Sequence, residues 1–480
     1  MIKHPLKYSE KLTSGDIESI LTASFNVLSE TGLFIQSDYI LKIMKKAGAA
    51  VDEHSGNIRF PAEMVKEYLK YVPAEWTFYA RNPQRNVQVG GRNLLVAPGY
   101  GSAFIADSQG RRRNATIADL EKLSLLAYSS DVIDLTGGLL VEPNDISPQL
   151  RPMEITLALI RNSDKPFMGS VTGKDGARES LEIAKIVFGN IDNKPCVMAL
   201  INISSPMRLN ATMADAMVEY ANACQPVLLT PGILMGMTAP VTAIGALVQA
   251  YAELLGCVTI TQVLRPGLPV IIGTGGFGSD LRSGGTGFGR PENALGIQLG
   301  AEIARKLNIP FRCTAAVTGA RRPDCRSGYE RMMTAMTAYY AGAHFCLQAA
   351  GILDSINTMS YEQYIIDMEI WSYIKHFARP LAVNKDTLAQ DVIEANKSGF
   401  LEHEHTLKYM RQELHSPSLA NPDNYDDWWA AAGPDVVSQA AKKVKQIFEN
   451  LKPPPMDESI DRRLREYALR RRKVLEQVSG

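Results

Sequence analysis

Across residues 91–395 the chain repeats one pattern. A short apolar run ends in small or polar residues, and a stretch of helical periodicity follows. The runs are "NLLVAPGYG", "IDLTGGLLV", "PFMGSVTG", "CVMALINISS", "PVLLTPGIL", "PVIIGTGG", "PFRCTAAVTG" and "HFCLQAAGIL". Runs this short and this apolar suit strands buried on both faces, as parallel strands are. The following helices are expected to begin near Thr116, Arg151, Asp175, Asn210, Pro240, Pro291, Asp324 and Ser360. Pro240 and Pro291 suit first helical turns, and Ser360 stands where a cap for "YEQYIIDMEIW" is wanted. Eight strand–helix units joined by right-handed crossovers predict an α/β fold, a (β/α)8 TIM-type barrel. An open doubly wound sheet is the competing arrangement.

Residues 1–90 predict a mainly helical N-terminal extension: "GDIESILTASFNVLSETG", "SDYILKIMKKAG" and "FPAEMVKEYLKYVP" are helical in period, and "EWTFYARNPQRNVQVGG" alternates like a hairpin. Residues 396–480 form a C-terminal helical region, with "FLEHEHTLKYMRQEL", the loop "HSPSLANPDNYDDWW", "GPDVVSQAAKKVKQIFENL" and a basic last helix after "KPPP". Asp457 stands where it would cap that helix.

The sixth run continues into "VIIGTGGFGSDLRSGGTGFGRPEN", where Gly273, Gly275 and Gly278 satisfy G-x-G-x-x-G. A dinucleotide fingerprint needs its third glycine to open a helix whose N-terminus meets the pyrophosphate. No helix is expected before Pro291, and the unit is the sixth rather than the first. A glycine-rich loop at the C-terminal mouth of a barrel strand is the better reading, with a connector of no special role as the plain alternative.

With 51 basic and 51 acidic residues in 480, the chain has no general attraction to nucleic acid or anionic membranes. No stretch approaches 18 uncharged apolar residues, so no membrane span is expected. The six cysteines contain no C-x-x-C pair and predict free thiols in a reducing cytoplasm.

Several long segments carry a further signal. "MGMTAPVTAIGALVQAYAELLGCVTITQVLRPGLPVIIG" (235–273) is followed by Asp280, Arg282, Gly284 and "GRPEN" in the loop. Then come "DCRSGYE" (324–330), "AGAHFCLQAAGIL" (341–353) and "SYEQYIIDMEIW" (360–371). Together with "VAPGYGSAFIADSQGRRRNATIADL" (96–120) and "FLEHEHTLKYMRQELHSPSL" (400–419), they make the chain resemble the trimethylamine methyltransferase family of corrinoid-dependent methyltransferases from about residue 15 to 450. The resemblance implies a (β/α)8 barrel and transfer of a methyl group from an amine to Co(I) of a cognate corrinoid protein. The corrinoid (cobalamin) would be carried by that partner, with no protein-bound metal. A homo-oligomer is also expected. Members acting on trimethylamine carry pyrrolysine, expected around "TAAVTGARR", where this chain has only standard residues. It therefore resembles the non-pyrrolysine branch, whose substrates are quaternary amines such as glycine betaine, proline betaine and carnitine.

A quaternary ammonium already leaves as a neutral amine, so no catalytic acid is expected and the site has only to hold and aim it. Its head has no N–H, so aromatic faces are the fitting partners. The candidates at the mouth are Tyr100, Phe104, Phe277, Phe288 and Tyr329. A carboxylate calls for an arginine: Arg282 is preferred among Arg282, Arg290, Arg321, Arg322 and Arg326, against the plain reading of an ion pair with Asp280. Glu330 is placed to face the cation or a loop arginine, and Asp324 to cap its helix. Asn202 and Ser204 share a face at the top of the fourth strand. Gln348 lies high on the eighth, above His344, which reads as a core histidine. His403, Glu404 and His405 invite a metal reading, but residues two apart on a helix point to nearly opposite sides. The basic tail reads as a solvated face or a contact for an acidic partner. Two other functions stay open: a lyase or decarboxylase, against which no strand-top lysine speaks for Schiff-base chemistry, and a non-catalytic protein binding betaines or the corrinoid protein.

Overall fold

The computed structural model describes residues 1–478 apart from 275, 397, 398, 421 and 422. Gly275 of the G-x-G-x-x-G match and part of the loop before "NYDDWW" thus lie outside the described residues. The protein is α/β. Its main sheet has eight strands: β1 (Ile2–Lys3), β2 (Asn93–Val96), β3 (Phe167–Met168), β4 (Val197–Ile203), β5 (Val227–Pro231), β6 (Val270–Gly273), β7 (Phe311–Thr314) and β8 (Phe345–Leu347). Their order is β1-β2-β8-β7-β6-β5-β4-β3. Every pairing is parallel except β1 with β2, so the sheet curls with β2 and β3 towards its two ends.

The second expected run, "IDLTGGLLV", is not a ladder strand. Gly137 has φ 104, outside the extended region, and the Asp134 carboxylate takes the Val96 N–H at 2.9 Å in place of a backbone acceptor. The count of eight is reached instead by the antiparallel N-terminal pair Ile2–Lys3. Residues 134–137 still bond to both sides. Asp134 N donates to Val96 O at 2.8 Å, Thr136 N to Pro166 O at 2.9 Å, and Met168 N to Gly137 O at 2.7 Å.

Eight helices follow the runs: α1 (Ile117–Ser129), α2 (Arg151–Asn162), α3 (Gly173–Phe188), α4 (Ala211–Asn222), α5 (Ala243–Leu264), α6 (Pro291–Lys306), α7 (Cys325–Ala341) and α8 (Tyr361–Phe377). Thr116, Asn210, Asp324 and Ser360 cap α1, α4, α7 and α8 through their side chains. The fifth begins three residues later than Pro240 suggests, because Thr242 is the cap and accepts the Gly245 N–H at 3.3 Å. The helix nearest to a membrane span is α5, whose apolar run is interrupted by Glu253. By length and composition α5 could span a bilayer, and 72% of its apolar window is buried in this fold. The N-terminal helices Ser14–Glu30 and Ala62–Leu69 pack over it.

The interior is stacked in layers. Period-two alternation sends Val197, Ala199 and Ile201 outward to the helices and Met198 and Leu200 inward. Leu95, Leu228, Ile271, Phe345 and Leu347 join that inner layer. Beneath it lies the hairpin Glu75–Phe78/Val87–Gly90, whose Trp76, Phe78, Val87 and Val89 pack into the same cluster. The hairpin is thus a floor for the strand layer. The N-terminal segment also contributes strands Leu33–Ile35, Ala50–Asp52 and Asn57–Arg59, which form a small sheet with Arg208–Leu209.

The six cysteines are free, with Cys313 Sγ and Cys346 Sγ 3.5 Å apart. His344 sits low in the strand layer. Its Nδ1 accepts the Phe311 N–H at 3.0 Å, and its ring meets that of His4 edge-on at 6.1 Å. Burial holds both imidazoles down at about 4. Their contribution is fully present above 6.5 and is lost as pH falls through 4, because the unfolded chain binds more protons in that window. Each is expected to cost on the order of 3 kcal/mol of stability. Urea unfolding at pH 7 and pH 4 measures it, and His344→Gln should flatten the slope.

The C-terminal region is helical: Glu404–Glu413, Tyr425–Ala430, Val436–Asn450 and Glu458–Val478. The basic last helix lies on the chain's own acids, Arg472 on Glu154 at 2.6 Å and Arg471 on Glu179. His403 caps the helix at Glu404, and its Nδ1 accepts the His405 N–H at 3.1 Å. No group of three or more His, Cys, Asp or Glu suited to a metal occurs among the described residues.

Candidate functional site

The C-terminal ends of β4, β5, β7 and β8 surround a cavity of about 420 Å³ directly above the inner apolar layer. Its floor is polar. Arg312 comes from β7, where Phe311 and Cys313 point outward to the helices and the alternate positions point in. Its guanidinium is 2% exposed, and no carboxylate meets it among the described residues. Nη1 donates to Thr230 Oγ1 and Thr274 O, both at 3.2 Å, and Nη2 to Gln348 Oε1 at 3.2 Å; Nε has no partner among the described residues. Burial draws its pKa down to about 10. Gln348 is held for this task. Its carbonyl also accepts Thr314 Oγ1 at 2.9 Å, and its backbone, at φ 66, turns to bond Pro98 O.

The walls are apolar and aromatic: Leu139, Leu200, Ile233, Leu234, Ile356, Tyr100 and Phe288. Tyr100 lies over Gly138, where a Cβ would fall 2.8 Å from its ring. Phe288 lies over Gly276, where a Cβ would fall 2.1 Å from its ring. Those two glycines therefore admit the two rings. Burial pushes the Tyr100 phenol well above its usual range, so it stays protonated. Asn202 faces the cavity with its amide unpartnered among the described residues. The cavity lining includes no carboxylate, imidazole, lysine or thiol.

The sequence candidates divide. Tyr100, Asn202, Phe288 and Gln348 meet around this cavity. Phe277 does not: it is buried outward against Gly296 of α6. Phe104 lies on a short strand over the mouth, its face covered by the Arg112 guanidinium at 4.4 Å. Tyr329 is 62% exposed on α7 and is not part of the cavity lining. Arg282 is exposed, and only its backbone N–H reaches Asp280, whose ion pair is with Arg290 at 2.6 Å. Glu330 is buried in a loop-bracing role. It accepts Thr318 Oγ1 at 2.5 Å, Gly319 N at 2.9 Å and Arg326 Nε at 2.8 Å. Although its burial opposes this, those donors hold its carboxyl below the usual range. The glycine loop folds as a small hairpin, Ser279–Asp280 with Gly285–Thr286, and the next helix opens at Pro291, as the spacing indicates.

Sequence reading missed Arg312 and Thr230. The signal for Arg312 was present: it is the only arginine or lysine inside the eight apolar runs. A charge there is costly unless something answers it.

Above this cavity, a buried ion pair fixes the loops. Arg331 and Asp367, both fully buried, meet at 2.8 Å. Arg331 also bonds Ala316 O after β7, and Asp367 accepts Gly351 N after β8 at 2.7 Å and Gln363 Nε2 at 2.9 Å. Burial pushes the Asp367 carboxyl up, and Arg331 pulls it back.

Residues 1–476 match the family model described as Trimethylamine methyltransferase (MTTB). The chain is 36% identical over 467 residues, 96% of its length and 97% of the relative's, to a glycine betaine methyltransferase of Desulfitobacterium hafniense. It is 27% identical to a trimethylamine methyltransferase of Methanosarcina barkeri over 93% of this chain and 92% of that one. A proline betaine:corrinoid methyltransferase of Eubacterium limosum is 26% identical over 92% of this chain and 93% of its own. Among solved structures, the Methanosarcina barkeri monomethylamine methyltransferase covers 92% of this chain and 96% of its own, at TM-score 0.49 and 10% identity.

Proposed function

The chain belongs to the trimethylamine methyltransferase family, and on that premise we propose that a betaine fills the cavity, its carboxylate on Arg312 and its trimethylammonium head against Tyr100 and Phe288. The protein is a corrinoid-dependent methyltransferase acting on a quaternary amine. The observation that carries the binding mode is Arg312: a desolvated guanidinium whose only partners are neutral is an anion site waiting for its anion.

The corrinoid, carried by a partner protein, supplies the cobalt nucleophile that accepts the methyl group. The cavity fits that chemistry, because its wall has no carboxylate, imidazole, lysine or thiol and its one phenol, Tyr100, stays protonated, and a quaternary nitrogen asks for no proton. Arg312 fixes one end of the substrate. Tyr100 and Phe288 face the cation with their rings and exclude water from it. The N–CH3 bond breaks with its electron pair left on nitrogen, so the fixed positive charge disappears as the methyl departs. Asn202, Thr230 and Gln348 carry no charge and leave that change uncompensated, which favours the neutral amine.

Schiff-base chemistry would need a lysine, and lyase-type acid–base chemistry a carboxylate or imidazole partner for Tyr100, neither of which this wall carries. We further infer that 134–137 completes the sheet as the second strand of a closed (β/α)8 barrel, supported by its bonds to both β2 and β3. In this reading residues 91–395 carry the chemistry, while 1–90 and 396–480 brace it.

Purified protein incubated with reduced cobalamin and each of glycine betaine, proline betaine, carnitine and γ-butyrobetaine tests the function. Methylated corrin and the matching tertiary amine should appear in equal amounts with at least one of them. No methylation from any overturns the reading. Tyr100→Ala and Phe288→Ala are each expected to weaken betaine binding by about 0.5–2 kcal/mol, roughly 2- to 30-fold, in calorimetry.

A further inference from the structure

Beyond Tyr100 and Leu139, which it shares with the main cavity, lies a second chamber of about 220 Å³. It runs between the segment 142–155 and the residues after β3, and it reaches solvent at Pro148 and Thr172, both exposed. Its walls are apolar at Ile155, Met168 and Val171 and charged at two places. Glu142 Oε1 pairs with Arg151 Nη1, while Glu142 Oε2 and Arg151 Nη2 have no partner among the described residues. The chamber thus presents one free carboxylate oxygen beside one free guanidinium nitrogen, facing an apolar wall. Those groups match a small zwitterion with an alkylated ammonium at one end and a carboxylate at the other.

The partition between the chambers is the Tyr100 ring. Its hydroxyl has no hydrogen-bond partner among the described residues, so only packing holds it, over Gly138 and against the inner apolar layer that includes Met168. The backbone on either side is fixed, with Gly99 N on Ala350 O at 2.9 Å and Gly101 N on Leu139 O at 2.6 Å. With no hydrogen bond on the hydroxyl and the backbone fixed, a turn of the side chain past Leu139 is the movement that would join the two chambers without moving the strand end.

The geometry points to the side chamber as a separate binding site for the demethylated tertiary amino acid, and to Tyr100 as the door through which it leaves. This rests on the betaine reading of the main cavity. A neutral amine gains a proton from water at the solvent end, and the resulting dialkylammonium pairs with Glu142 while its carboxylate pairs with Arg151. A quaternary betaine prefers the main cavity, where a bare arginine and two rings await it. The chamber gives the product a way out that does not cross the mouth.

Calorimetry with glycine betaine and N,N-dimethylglycine on the whole protein tests the assignment. The two ligands should bind together rather than displace each other. Ile155→Trp, which fills the chamber from a half-buried helix position, should weaken N,N-dimethylglycine by at least about tenfold and leave glycine betaine within about twofold. Thr172→Trp, at the exposed rim, is the second variant should the first misfold, with the same expected pattern. Glu142→Gln should weaken only the tertiary ammonium. Simple competition between the ligands, or equal effects of the chamber variants on both, overturns the chamber. If wild-type protein binds no betaine at all, the main-cavity reading falls first and the chamber with it.

Discussion

Arg312→Met is expected to make the protein more stable and unable to hold a betaine. The two effects have one origin. Without its ligand the guanidinium is buried among neutral acceptors with Nε unsatisfied, and a buried charge lacking a counter-ion is a liability. Methionine has similar length and no charge to desolvate, so unfolding free energy should rise by about 1–4 kcal/mol. Binding should fall by about 2–5 kcal/mol, roughly 30-fold to several thousand-fold, because the carboxylate then meets an apolar floor. Urea titration and calorimetry on the same preparation measure both. Lower stability with unchanged affinity would make Arg312 a purely structural residue.

The second large effect concerns the loops above the site. Asp367→Ala leaves Arg331 fully buried without its carboxylate and frees Gly351 N, so a loss of about 3–5 kcal/mol is expected. Because Arg331 also bonds Ala316 O, and Gly351 follows Gln348 on the eighth unit, betaine affinity should weaken along with stability. Replacing both partners with apolar residues, Arg331→Met with Asp367→Leu, should restore much of the stability and less of the affinity. Chemical denaturation of the single and double variants separates the two.

Much of the frame was legible in the chain. The apolar runs place β2 to β8 in order, and the caps at Thr116, Asn210, Asp324 and Ser360 mark helix starts to the residue. Where the reading slipped, a tertiary contact outweighed a local pattern. "IDLTGGLLV" is as apolar as its neighbours, yet two adjacent glycines and the Asp134 side chain take it out of the ladder. The site was harder. Tyr100 and Gln348 were found because they end strands, but Phe277 and Phe288 sit in one loop, and nothing local tells which ring turns inward. The glycine that each ring meets decides it, Gly296 on α6 taking Phe277 and Gly276 within the loop taking Phe288. Arg282 stands out through its family-like surroundings, whereas Arg312 lies inside a strand run rather than on a loop.

The hairpin beneath the inner layer sets the order of events. Trp76, Phe78, Val87 and Val89 shut the lower end, so on the proposed reading, with Tyr100 closed, a betaine loads from above before a corrinoid protein docked on the mouth covers the same opening. Turnover is then compulsory in sequence, amine ahead of acceptor. A surplus of the acceptor protein should slow the enzyme by sealing empty vessels, an inhibition that more betaine relieves.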